Sequence, residues 1–169
     1  TLRVSASGLT GAGTGVNASN YVYQHQSVLE WTPGAGFSFS TSGVTYFPNV
    51  DAVTIPIFRT TNATPIIVGG ASATIINGVF QCDGASVTWQ NSGTKTFRNG
   101  ITGTGTVDGQ SGAPASGKFI INGTTANLGG SGSLLLPADG LDVGTSTTVS
   151  MTSAKAVTGD IALLSNSYI

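Results

Sequence analysis

The stretch that decides the fold class runs from Ile66 to Asp108. It reads Ile66-Ile67-Val68, Ala73-Thr74-Ile75-Ile76-Asn77-Gly78-Val79-Phe80-Gln81-Cys82, Ala85-Ser86-Val87-Thr88-Trp89, then Thr94-Lys95-Thr96-Phe97-Arg98 and Ile101-Thr102-Gly103-Thr104-Gly105-Thr106-Val107. Each piece is a short run of β-branched and aromatic residues, closed by Gly, Asn or Asp. Branched Cβ atoms fit a pleated surface, and Gly and Asn accept the positive φ that tight turns need. No piece repeats apolar residues at helical spacing. The pattern predicts an all-β chain with little or no helix, and its turn residues predict an antiparallel β-sandwich or jelly roll.

Outward from that stretch the same texture continues. Toward the N-terminus, Ala52 to Phe58 places Val53, Ile55 and Ile57 on one face, and Pro56, lacking an N–H, predicts an edge or bulged strand. Phe37-Ser38-Phe39-Ser40 and Val44-Thr45-Tyr46-Phe47 flank a Thr-Ser-Gly turn and predict a hairpin. Leu2, Val4 and Ala6 alternate with polar residues, and Gly8, Gly11, Gly13 and Gly15 follow. A short strand on a glycine hinge is suited to its own sheet or to a neighbour's sheet edge. Toward the C-terminus, Lys118 to Ile121, Leu134 to Leu136, Thr147 to Met151 and Ile161 to Leu164 supply further strands. Ile120-Ile121-Asn122-Gly123 repeats Ile75-Ile76-Asn77-Gly78 after 45 residues. A single four-residue match does not establish a repeat period. The expected core includes Val53, Ile55, Ile57, Ile67, Ile76, Phe80, Val87, Trp89, Phe97, Phe119 and Ile121.

The chain is 169 residues long, the size of one domain, and residues 1–169 read as a single β domain, with 1–15 an extended strand plus hinge. Charged residues are 8 %, against about 25 % in ordinary soluble proteins. Hydroxyls, amides and 25 Gly replace them, a composition that points outside the cell, to a cell surface or to a virion. The six basic residues are scattered and net charge is −1, so no basic face for nucleic acid is expected. No apolar run has the length of a membrane helix. Cys82 is the single cysteine, which rules out an intrachain disulfide and suits a buried strand residue. The chain opens on Thr1, as a processed mature form or an excised fragment would.

Catalysis needs titratable groups, and there are one His (His25), one Glu (Glu30) and six Asp. No Gly-x-Ser-x-Gly elbow, zinc ligand set, Ca²⁺ loop or dinucleotide fingerprint is present. Asp139 and Asp142 could donate oxygens to Ca²⁺ but lack the other ligands such an ion requires. No catalytic, cofactor or metal residue is therefore assigned, and the chain is expected not to be an enzyme. Asn17, Asn62 and Asn122 head formal glycosylation sequons. Thr102-Gly-Thr104-Gly-Thr106 hints at a flat threonine array, but one such run makes no lattice.

These absences leave shape, assembly and surface binding. The sequence predicts a structural or assembly subunit of an extracellular filament, a phage or virus fibre or a capsid surface. Its partners would be copies of itself, with Leu2, Val4 and Ala6 as the candidate assembly strand. The alternative is a lectin-like module for a glycan or cell-surface receptor, contacting it through Trp31, Glu30, Tyr21 and Tyr23.

Overall fold

The computed structural model describes residues 2–5, 25–32, 38–40, 45–47, 50–51, 53–69, 73–90, 92–112, 117–152 and 155–169. It is all-β, and every strand pair is parallel. This overturns the antiparallel sandwich or jelly roll: the chain winds into a β-solenoid.

A first strand, β1 (Leu2–Ser5), precedes six turns of three strands each. The turns are β2 (Val28–Thr32), β3 (Ser38–Ser40), β4 (Thr45–Tyr46); β5 (Ile57–Thr60), β6 (Ile66–Gly69), β7 (Thr74–Ile76); and β8 (Val79–Cys82), β9 (Ser86–Trp89), β10 (Lys95–Phe97). They continue as β11 (Gly100–Thr102), β12 (Thr106–Asp108), β13 (Phe119–Ile121); β14 (Thr125–Gly129), β15 (Ser133–Leu135), β16 (Leu141–Val143); and β17 (Thr148–Thr152), β18 (Ala156–Thr158), β19 (Ile161–Leu163). The first strand of each turn stacks into sheet A (β1-β2-β5-β8-β11-β14-β17), the second into sheet B (β3 to β18) and the third into sheet C (β4 to β19). Two parallel strands in one sheet need a long return path, and here the other two strands of the turn provide it in place of a helix.

The hairpin signals fail for this reason. β3 and β4 lie in sheets B and C and pair with β6 and β7, not with each other. Asn77-Gly78, a hairpin dipeptide by sequence, is a corner: Asn77 N–H donates to the Tyr46 carbonyl of the preceding turn. A Cβ at Gly78 would sit 2.2 Å from the Pro56 carbonyl oxygen, so this corner stacks too closely for any other residue. Pro56 itself precedes β5, which is an inner strand between β2 and β8, not an edge.

Period-two alternation then fills the interior. In sheet A the inward column is Leu29, Phe58, Phe80, Ile101, Leu128, Met151, with offsets of 29, 22, 21, 27 and 23 residues. Sheet B contributes Ile66, Val87, Val107, Leu134 and Val157. Sheet C contributes Thr74, Lys95, Phe119, Leu141 and Ile161. Rings pack in a chain through the interior: Tyr46 stacks on Phe58 at 4.9 Å, Phe58 meets Phe80 at 5.9 Å and Phe80 meets Phe97 at 5.6 Å at tilted angles, and Phe97 meets Phe119 edge-on at 5.3 Å. Trp89 meets Phe80 and Phe97 edge-on. Ile76, Phe80, Val87, Trp89, Phe97, Phe119 and Ile121 are buried as the sequence implies. Val53 and Ile67 are exposed, and Ile55 and Ile57 are half-buried. In β5 and β6 the inward places belong to Phe58, Thr60, Ile66 and Val68, which puts Ile57 and Ile67 on the outer face.

Candidate functional site

Three surface features stand out: a charged strip on sheet A, a shallow groove beside it, and the last described turn.

The strip follows from register. Glu30, Arg59 and Gln81 are successive outward partners across β2, β5 and β8. Arg59 donates to Asp83 at 2.8 Å and to Glu30 at 3.4 Å, and Gln81 donates to Asp83 at 2.6 Å. The Glu30 carboxylate is covered (6 % exposed), and the single Arg59 guanidinium is shared between it and Asp83, which ties neighbouring strands of the sheet together. Trp31, the candidate stacking residue, points inward with 0 % exposure and lies against Phe58, which leaves no ring face for a sugar. Tyr21 and Tyr23 lie outside the described residues. His25 is exposed and its Nδ1 accepts from Ile55 N–H at 3.4 Å. Asp51 accepts from the Val53 and Thr54 N–H groups, and the Thr54 hydroxyl foremost, with these amides, holds its carboxyl below the usual range. Neither is placed beside a nucleophile.

The groove holds about 330 Å³ and is lined by Val79, Asn99, Thr125, Asn127, Ser150 and Thr152, with Ile55 and Ala126. Thr152 Oγ1 donates to Asn127 Oδ1 at 2.8 Å. Its lining is mostly apolar, set with hydroxyls and amides and without a charge or an aromatic ring.

Of the two carboxylates considered for metal binding, Asp142 pairs with Lys118 at 3.0 Å across β13 and β16, and Asp139 is exposed in the turn before β16. Asp108 Oδ1 accepts from Gln110 and Ser111 N–H groups in a local turn. Among the described residues no three His, Cys, Asp or Glu cluster. Asn62 is buried and donates to the Thr64 and Ser86 carbonyls, so the folded chain withholds that sequon, whereas Asn122 is exposed. Thr102 to Thr106 turns the corner from sheet A to sheet B and forms no flat array.

The last turn differs from all of these. Its inward side chains pack on the turn beneath them. Met151, Leu163, Leu164, Tyr168 and Ile169 are 44–62 % exposed and supply five of the seven exposed large hydrophobics among the described residues. After β19, Leu164 N–H donates to the Val143 carbonyl, and Tyr168 then returns to sheet A, bridging Thr148 in parallel. The rest of the β17 edge, over Ser150 to Thr152, carries no strand among the described residues. Residues 148–169 hold two charges, Lys155 and Asp160. Lys155 is drawn into the body, donating to the Gly103 carbonyl at 3.3 Å, and burial lowers its pKa. The sequence reading missed this end because exposure here depends on stacking position, not on composition.

At the other end, β1 pairs in parallel with β2, Leu2 beside Leu29 and Val4 beside Trp31, so the candidate assembly strand belongs to sheet A of its own chain. Ala6 lies outside the described residues. Comparison with protein-family models, curated proteins and solved structures finds no match to this chain.

Proposed function

We propose that this chain is a structural, assembly-forming part of an extracellular filament, a phage or virus fibre or a capsid surface. The observation that carries the reading is the group of exposed apolar side chains near the last described turn, Met151, Leu163, Leu164, Tyr168 and Ile169. Exposed apolar surface concentrated in one place marks an interaction site. Low charge and abundant hydroxyls on the flanks suit an exposed rod.

The test is location. Immunogold labelling with antibody raised against the 169-residue chain should decorate filaments, fibres or particle surfaces of the source. Label confined to the cell interior would refute the reading.

A glycan-binding role draws support from the groove of Asn127, Ser150 and Thr152, and no longer from Trp31. Glycan-array binding abolished by Asn127→Ala would favour it; a blank array would remove it.

A further inference from the structure

We infer that the groove on sheet A binds the acetamido group of a neutral N-acetylated sugar. This rests on the glycan-binding reading of the same groove and names the sugar class.

The backbone makes the hollow. β11 runs between β8 and β14, and Gly100, the register partner of Asn127, brings no side chain to the outer face. A Cβ there would lie 2.1 Å from the Asn127 carbonyl oxygen, so the depression is set by the course of the chain and not by a rotamer. At about 330 Å³ it stands at the small end of ligand sites, which suits a single ring.

Two amides define what fits. Asn99 lines the groove and is 4 % exposed. Its Nδ2 donates to the Thr125 carbonyl at 2.9 Å, while its Oδ1 has no donor among the described residues. A buried amide oxygen left without a donor is costly, and a ligand N–H meets it. Asn127 sits one turn further on, its backbone N–H donating to the Asn99 carbonyl at 3.0 Å. The Thr152 hydroxyl donates to Asn127 Oδ1, so Nδ2 is the group Asn127 offers a ligand. One acceptor and one donor on neighbouring turns match the N–H and C=O of a secondary amide. Ile55, Val79 and Ala126 supply an apolar wall for its methyl group.

The rest of the lining selects a sugar to carry that amide. Thr125, Ser150 and Thr152 set hydroxyls around the pair, partners for the hydroxyls of a pyranose ring. No charged side chain is among the described lining, so a carboxylate or ammonium on the ring would lose water without gaining a partner.

The experiment is saturation-transfer NMR and titration of the 169-residue chain with N-acetylglucosamine, glucose, glucosamine and N-acetylalanine methylamide. Expected is saturation strongest at the acetyl methyl, and affinity for N-acetylglucosamine about tenfold above that for glucose or glucosamine, which lack the acetamido contacts. Asn127→Ala removes the donor, and Ser150→Tyr, at an exposed position, fills the groove. Each should weaken binding about tenfold with an unchanged circular dichroism spectrum. Equal affinity for glucose, or saturation strongest on the ring, would overturn the acetamido assignment and spare the glycan reading. Equal affinity for the peptide amide would overturn the sugar class, and binding undiminished in both variants would overturn the site. No binding of any sugar, with a blank glycan array, would sink the inference and the glycan reading together.

Discussion

Lys95→Met should make the protein more stable. Lys95 occupies an inward place in sheet C between Thr74 and Phe119, 1 % exposed, with Nζ donating to the Gly93 carbonyl at 2.5 Å. Burial lowers its pKa from 10.5 to about 8. At ~1.4 kcal/mol per pH unit, holding the cation in the folded state costs ~3 kcal/mol at neutral pH. Methionine fills the same slot without a charge but gives up the bond to Gly93, worth ~1–2 kcal/mol. The net gain is ~1–2 kcal/mol, or ~3–6 °C in Tm for a chain of this size. The pH dependence carries the sharper signature. A depressed lysine pKa means the unfolded chain holds the extra proton between about pH 8 and 10.5, so this site's contribution to wild-type stability rises across that window. The advantage of the variant is full below about pH 8 and fades by about 10.5. Paired urea titrations of the two proteins at pH 7, 9 and 10.5 measure it. A loss of ~1 kcal/mol or more at pH 7, or a difference that does not shrink with pH, would refute the reasoning.

Other outcomes follow from the same interior. Trp89→Ala should cost ~3–5 kcal/mol in chemical denaturation, since its ring packs edge-on to Phe80 and Phe97; a loss under ~1 kcal/mol would contradict the stacked core. Gly103→Ala should cost ~3 kcal/mol or more, because φ is +105° and the new Cβ would lie 2.1 Å from the Cys82 carbonyl oxygen; a neutral result by thermal melting would contradict that corner. Burial pushes the Tyr46 phenol well above the ordinary tyrosine range. Ultraviolet titration should therefore show one tyrosine ionising only as the protein unfolds, with stability lost above about pH 10 where the unfolded phenol ionises. Tyr46 titrating with an ordinary tyrosine profile in the folded protein would exclude its buried position.

Strand identity was legible in the sequence; strand partnership was not. Val79 to Cys82 and Ser86 to Trp89 announce themselves by alternation and turn residues, because pleat and burial are local. Whether the next strand returns beside its predecessor or turns a corner into another sheet depends on contacts 20 to 30 residues away. The repeat of Ile75 to Gly78 at Ile120 to Gly123 was the available clue. Ile75 and Ile120 both pair with Thr96, so the tetrapeptides occupy one column two turns apart. With the intervening Thr96-Phe97-Arg98-Asn99 unlike them, the period is hidden at the halfway turn. Parity explains the core errors: Val53, Ile55 and Ile57 share a face, but Phe58 and Thr60 take the inside. The exposure of Met151 and Leu163 was invisible to sequence because both resemble core residues by type and alternation.

Because the strands of each turn pair only with strands of the turns before and after it, length is something this molecule can gain or lose in whole steps. Phe80 and Ile101 are lateral partners, so cutting out residues 80–100 would join Val79 to the residue that already sits in the vacated column. The rod would shorten by one strand spacing, ~4.8 Å, and its columns would close up again in phase. A deletion of half that size would instead carry sheet A residues into sheet B places and break every column beyond it. A ruler graduated in turns tolerates large edits at whole marks and small ones almost nowhere between.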